Sequence, residues 1–394
     1  MITLIWLAIF VVVVIQYLRK AYSRFDESGV SHMKPVPVLG NVLPLATGKS
    51  HVSTELNKLY QGFPNDRFTG RYELFRPSII LRDLELIKKV AIKDFEHFVD
   101  HNSMVDDTVD PLFGRNLFSL KGKTIKSTQS SFFTRGKRMV PFMIDVNKQM
   151  INVLKKKIDA TGNNYLDVEC KDLTTRYAND VIASCAFGVK VNSHAEENNE
   201  FYIKGRSTAN MGFRRILVFL GYASFPSIMK KFNVRLFSTE TSDFFTDLVL
   251  STMKNREEHN IIRPDMIHLL MEAKKGKLTY DEKSTNKSDT GFSTVEESDI
   301  GKKSVERVWS DGGLVAQATL FFLAGFETIS SAMSFLLYEL AVNPDVQNKL
   351  LAEIQENEAR TGGKFDYNSI QNLPYLDNVI SGKYVFSFDC LFGW

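Results

Sequence analysis

Apolar positions in this chain recur with helical spacing almost everywhere, and the longest run lies between Trp309 and Asn343 (WSDGGLVAQATLFFLAGFETISSAMSFLLYELAVN). Ser310 or Asp311 can cap its start, and Asn343-Pro344 stops it. Roughly thirty residues rising about 1.5 Å each make a helix of about 45 Å. From Leu314 to Ala324 the run is apolar almost all round, which predicts burial. Its middle then carries the polar interruption Gly325-Phe326-Glu327-Thr328. A carboxylate and a hydroxyl inside a buried helix are costly unless something satisfies or uses them.

The rest of the chain gives shorter elements. Ile2 to Ile15 is apolar except for Thr3, and Arg19, Lys20 and Arg24 follow it. No basic residue precedes the run and no small-x-small cleavage site follows, so an uncleaved membrane anchor is expected, with the remaining chain on the cytoplasmic side. Lys34-Pro35-Val36-Pro37-Val38-Leu39-Gly40-Asn41 reads as a linker or a stiff hinge, with the glycine permitting a turn. Phe68–Tyr72 and Ser78–Leu81 suggest two short strands split by Arg76-Pro77, and Leu84–Val90 suggests a helix. Residues 95–120 form a long loop, of the kind that is usually functional or poorly ordered. Helices follow over Val146–Ile158, Leu173–Val189, a pair within Phe201–Phe237, Asp243–Glu258 and Met266–Ala273, the last opened by Arg263-Pro264-Asp265 with its proline at the helix start. Gly276–Glu306 is polar and reads as a surface loop. Pro344–Glu356 is amphipathic, and Leu373-Pro374 opens a last helix to Ser381.

Composition narrows the function. A chain of 394 residues, 44% hydrophobic, can bury a large core. Net charge is +3, too small to argue for nucleic acid. Three cysteines (Cys170, Cys185, Cys390) make no disulfide framework, which favours a reducing compartment. No Cys/His spacing suggests zinc, and there is no glycine-rich phosphate loop or G-x-S-x-G elbow. An Asn-x-Ser sequence at Asn286 matters only if the chain is secreted.

The order of these signals resembles the microsomal cytochromes P450 of the insect type. Ala324-Gly325-Phe326-Glu327-Thr328 matches the family's A/G-G-x-D/E-T on its long helix. The apolar N-terminus, the proline hinge, the helix after Pro344 and the Leu373-Pro374-Tyr375-Leu376 entry match in order. The resemblance implies a mainly α fold with a small β region. Its parts are an anchor over 1–20, a hinge over 21–41, an incomplete P450-like domain over 42–381 and a tail over 382–394.

It further implies haem b, a small apolar substrate, NADPH-cytochrome P450 reductase as electron donor, and the endoplasmic reticulum bilayer as location. Thr328 stands four residues after Ala324, so its hydroxyl can reach the Ala324 carbonyl. By resemblance Glu327 and Thr328 are catalytic, while Ala324, Gly325 and Thr328 face the haem, with Gly325 leaving room for a diatomic ligand. Phe321, Phe322 and Ala324, with loops 101–118 and 201–237, are expected to line the substrate pocket. Burial of Glu327 would suit proton delivery. A structural reading has Thr328 bonded back to its own helix and Glu327 paired with an arginine.

Three departures temper this. The family's cysteine ligand lies in F-x-x-G-x-R-x-C-x-G, and no stretch here matches; Cys390 follows Asp389 with no glycine or arginine at the required offsets. No metal ligand is therefore assigned. Where the family's E-x-x-R is due, the chain reads Gly382-Lys383-Tyr384-Val385, whose codons can contain a splice-donor sequence, so a retained intron is expected. The W-x-x-x-R expected within Lys121–Lys137 is also absent. The rival expectations are an inactive membrane-tethered product and, more remotely, a secreted helical binding protein.

Overall fold

The computed structural model describes residues 2–98, 100, 105, 107–121, 136–210, 212–275 and 309–391. Both the polar stretch within 276–306 and the altered part of 121–137, from 122 to 135, lie outside them. The chain is mainly helical, with one two-stranded antiparallel sheet among the described residues. It forms two compact units, one of Met1–Val99, Leu217–Phe232 and Phe386–Trp394, the other of Asp100–Ile216 and Asn233–Val385.

In the first unit, helix α1 (Ile2–Tyr22) carries the apolar run, with Ile2, Leu4, Trp6 and Phe10 exposed. It is long and apolar enough to cross a membrane. Strands β1 (Phe68–Glu73) and β2 (Arg76–Leu81) pair in register from Phe68↔Leu81 to Glu73↔Arg76. Pro77 therefore sits inside β2 opposite Tyr72, not between the strands as the sequence suggested; a two-stranded sheet has edges that spare a missing N–H.

The proline segment is tied down. Gly40 takes φ +60° and bridges to Val36, and a Cβ there would collide with the Tyr72 carbonyl. Asn41 donates to Lys34 O (3.0 Å) and accepts from Tyr72 N (2.7 Å). The Tyr72 hydroxyl accepts from Phe25 N (3.2 Å) and donates to Tyr22 O (2.9 Å), so the end of α1 is fastened to β1. After β2 a short helix ends at Lys88, where the sequence suggested continuation to Val90, and one π turn follows over Lys89–Lys93.

In the second unit, α2 (Pro111–Gly114) interrupts the expected long loop. Helix α3 (Val140–Thr161) packs on α4 (Cys170–Ile182), while α4, α5 (Glu200–Ala209), α6 (Thr239–Glu258) and α7 (Met266–Lys274) pack against α8 (Asp311–Val342). α4 closes on a π turn, Ala183–Phe187. Three helices, not two, occupy 200–231: α5 in this unit, Phe213–Ser224, whose residues from Leu217 on belong to the first unit, and Pro226–Lys231 in the first unit. Within Arg263-Pro264-Asp265 it is Asp265 that caps α7, accepting from His268 N at 3.1 Å, with Pro264 one residue before the cap. α9 (Pro344–Thr361) follows α8, and Glu353 on it accepts from Tyr375 N and Leu376 N at 2.8 and 2.9 Å. That carboxylate satisfies the free N–H groups opening α10 (Pro374–Leu391). α10 runs past Ser381, since Gly382 alone weakens a helix without ending it.

The core of this unit is aromatic. Phe322 is wholly buried, with its ring centroid 5.2 Å from Phe245 and Phe326, 5.6 Å from Phe201 and 6.1 Å from Phe187. Beside it, Arg256 and Asp265 form a bidentate ion pair, both bonds 2.7 Å, with side chains 4% and 0% exposed.

Candidate active site

Ser310 caps α8 by accepting from Gly313 N (3.2 Å), and the helix ends at Val342 before Asn343-Pro344. Burial is continuous from Gly313 to Leu320 and then splits by face. Phe322, Phe326 and Ser330 remain inside, while Ala324, Glu327, Thr328 and Ile329 are exposed. The expectation of a buried Glu327 is corrected: its side chain is 52% exposed.

The notch has the backbone contact that its spacing predicts. The Thr328 hydroxyl donates to the Ala324 carbonyl one turn back. Gly325 leaves its room elsewhere: a Cβ there would sit 3.1 Å from Ile182 Cδ1, so the missing side chain admits α4 rather than opening the exposed face. Of the expected pocket residues, Phe321 is half-buried and Ala324 exposed, but Phe322 belongs to the aromatic core. The reason is angular: 321, 324 and 328 share one stripe of a 3.6-residue helix, and 322, 326 and 330 share another. Residues 101–104 of the expected pocket loop lie outside the described residues.

α4 supplies what the sequence did not reveal. Glu169 caps it, accepting from Lys171 N at 3.0 Å and from Asp172 N. Lys171 then crosses to α8, its ammonium donating to Glu327 Oε1 (2.7 Å), Ser330 Oγ (2.9 Å) and Ser331 Oγ (2.7 Å). All three ammonium protons are engaged. One turn on, the Thr174 hydroxyl lies 2.9 Å from the Ser330 carbonyl. The partner of the motif acid is thus a lysine from another helix, not an arginine. Nothing in a linear sequence links residues 156 positions apart.

A second side chain was hidden in the apolar run. Gln317 is fully buried, accepting from Leu117 N (3.0 Å) and donating to Arg115 O (2.8 Å). Its polarity within LVAQATL was the available signal.

Two cysteine side chains are described. Cys185 is buried, its sulfur 3.9 Å from Met139 O, and burial pushes its thiol up to about 11. Cys170 opens α4 beside Lys171 and is half-buried.

A model of the cytochrome P450 family matches residues 31–381. Cytochrome P450 9e2 of Blattella germanica is 39% identical over 399 residues, covering 96% of this chain and 72% of that protein. Probable cytochrome P450 9h1 of Drosophila melanogaster is 34% identical over 388 residues, covering 96% and 72%. Cytochrome P450 6k1 of Blattella germanica is 33% identical over 383 residues, covering 96% and 70%. With the family matched over most of its length and the A-G-x-E-T notch set on its longest helix, the chain belongs to the cytochromes P450, a family of haem b monooxygenases.

Proposed function

We propose that this protein is a microsomal monooxygenase that inserts one atom of dioxygen into small apolar molecules. Its electrons come from NADPH through NADPH-cytochrome P450 reductase. The observation that carries this reading is the exposed notch on α8, with the Thr328 hydroxyl turned onto the Ala324 carbonyl and Glu327 one residue before it. The apolar helix α1 supports attachment to the endoplasmic reticulum bilayer, with the rest of the chain on the cytoplasmic face.

Haem b, when bound, supplies the oxygen chemistry. The residues on the notch fit one side of it: Ala324 and Thr328 offer a small-residue surface with a hydroxyl, and Glu327 a carboxyl for moving protons. The described cysteines do not fit the other side. A thiol pushed up to about 11 carries almost no thiolate near neutral pH. Cys170 stands on a helix packed directly against α8, where the Thr174 hydroxyl is 2.9 Å from the Ser330 carbonyl; a macrocycle has no space between them.

This mismatch favours a second reading, in which the 394-residue polypeptide itself is not catalytic. Membranes carrying the protein, supplied with reductase and NADPH, separate the two. Oxidation of apolar compounds that falls with Thr328→Ala supports the monooxygenase; no NADPH-dependent product, with the protein folded and membrane-bound, supports the second reading.

A further inference from the structure

Gln317, Phe321, Ala324 and Thr328 lie on one stripe of α8, spaced 4, 3 and 4 residues apart. The stripe passes from fully buried Gln317, through half-buried Phe321, to exposed Ala324 and Thr328. What covers its closed end is the backbone of 115–117, held by both polar atoms of the Gln317 amide: Oε1 accepts from Leu117 N at 3.0 Å and Nε2 donates to Arg115 O at 2.8 Å. The other end of that segment is also pinned. Asp110, 1% exposed, accepts through Oδ2 from Leu236 N (3.0 Å) and Phe237 N (2.9 Å), and through Oδ1 from Phe113 N (3.3 Å). Gly114 allows the tight passage between the two pins, since a Cβ there would collide with the Asp107 backbone.

We propose that Gln317 is a positioning residue that latches segment 110–117 across the stripe and thereby fixes how long an apolar molecule the notch face accepts. The latch stands seven residues, about 10 Å of helix axis, from Ala324. A molecule lying along the stripe from the notch meets the strap at that distance. An amide suits the task, because it satisfies one backbone donor and one backbone acceptor of an irregular segment in a buried place. A hydrophobic residue of the same size would fill the volume and leave both backbone groups unpaired. The length-limiting role rests on the monooxygenase reading of the notch; the latch itself does not.

The test uses the full chain in lipid nanodiscs, comparing wild type with Gln317→Met and Gln317→Glu. Gln317→Met keeps volume and loses both hydrogen bonds. Gln317→Glu keeps the acceptor for Leu117 N, so it is the conservative rescue. Amide exchange at Leu117 is expected to quicken about tenfold in Gln317→Met and to stay near wild type in Gln317→Glu, with the α4 amides unchanged. Binding of a homologous series of 1-alkylnaphthalenes, read by their fluorescence, is expected to show a chain-length cut-off in wild type. That cut-off moves to longer members in Gln317→Met.

Should Gln317→Glu fail to fold, Asp110→Asn, which weakens the other pin, is expected to move the same cut-off. Unchanged exchange at Leu117 in Gln317→Met overturns the latch. Faster exchange with an unmoved cut-off leaves a structural clamp and overturns the length-limiting role. Wild type binding none of the series contradicts the notch reading on which that role rests, while Leu117 exchange still decides the latch.

Discussion

The ammonium of Lys171 lies 2.7 Å from Glu327 Oε1 and holds the motif acid toward α4, while the neighbouring Thr328 hydroxyl turns back along α8. The acid and the hydroxyl thus have separate partners. Since the two charged side chains are 38% and 52% exposed, water screens the pair, and its strength comes from the hydroxyls of Ser330 and Ser331 sharing the same ammonium. In urea titrations Lys171→Met is expected to cost about 1 kcal/mol. A double-mutant cycle with Glu327→Gln should give a coupling of about 0.5 kcal/mol. Additive single substitutions would show that the pair contributes nothing to holding the notch.

The Arg256–Asp265 pair behaves differently because it is dry. Removing Arg256 takes away both 2.7 Å bonds and leaves the buried carboxylate of Asp265 with Arg263 as its remaining cation, so Arg256→Met is expected to destabilise the protein by about 3 kcal/mol. Asp265 also accepts from His268 N and faces Arg263 Nε at 3.2 Å, so the loss spreads to the start of α7. Gly188, at φ +69°, brings its backbone against the Arg256 guanidinium, and Gly188→Ala is expected to be destabilising for both reasons. Denaturant midpoints near those of wild type would contradict this account of the pair.

His194 gives the fold a pH dependence. It is buried, and burial, with the Arg176 and Lys157 charges adding, pushes its imidazole down from 6.5 to about 4. Unfolded, the ring takes a proton near 6.5; folded, only near 4. Between those values the unfolded chain binds the extra proton, so stability present above 6.5 is lost as pH falls toward 4. Denaturation midpoints measured across this window should decline, and His194→Gln should flatten the decline. A wild-type profile that is flat there, or rises on acidification, counts against a buried neutral ring.

The long helix was legible because its period, its caps and its proline stop agree, and Ser310 and Asn343 stand where those signals put them. So were the apolar N-terminal helix and the Thr328–Ala324 contact, which depend on spacing alone. What a linear sequence hides is which stripe of an all-apolar helix faces the core. Composition could not separate Phe321 from Phe322, and packing against Phe201 and Phe245 decides it. Nor could it show that Gly325 makes room for Ile182. Gln317 was readable as a lone amide in an apolar run, but its partners at 115 and 117 are fixed only by the fold. Lys171 carried no signal, since a lysine in the first turn of a helix is ordinarily solvated.

The most direct measurement is the reduced carbon-monoxide spectrum of the purified 394-residue protein after haem titration. With Cys185 buried as a thiol and Cys170 set against α8, the expected spectrum lacks the red-shifted Soret band of cysteine-thiolate ligation. Appearance of that band, and its loss on replacing one of the three cysteines by serine, would contradict the second reading proposed above, in which the notch has no thiolate opposite it.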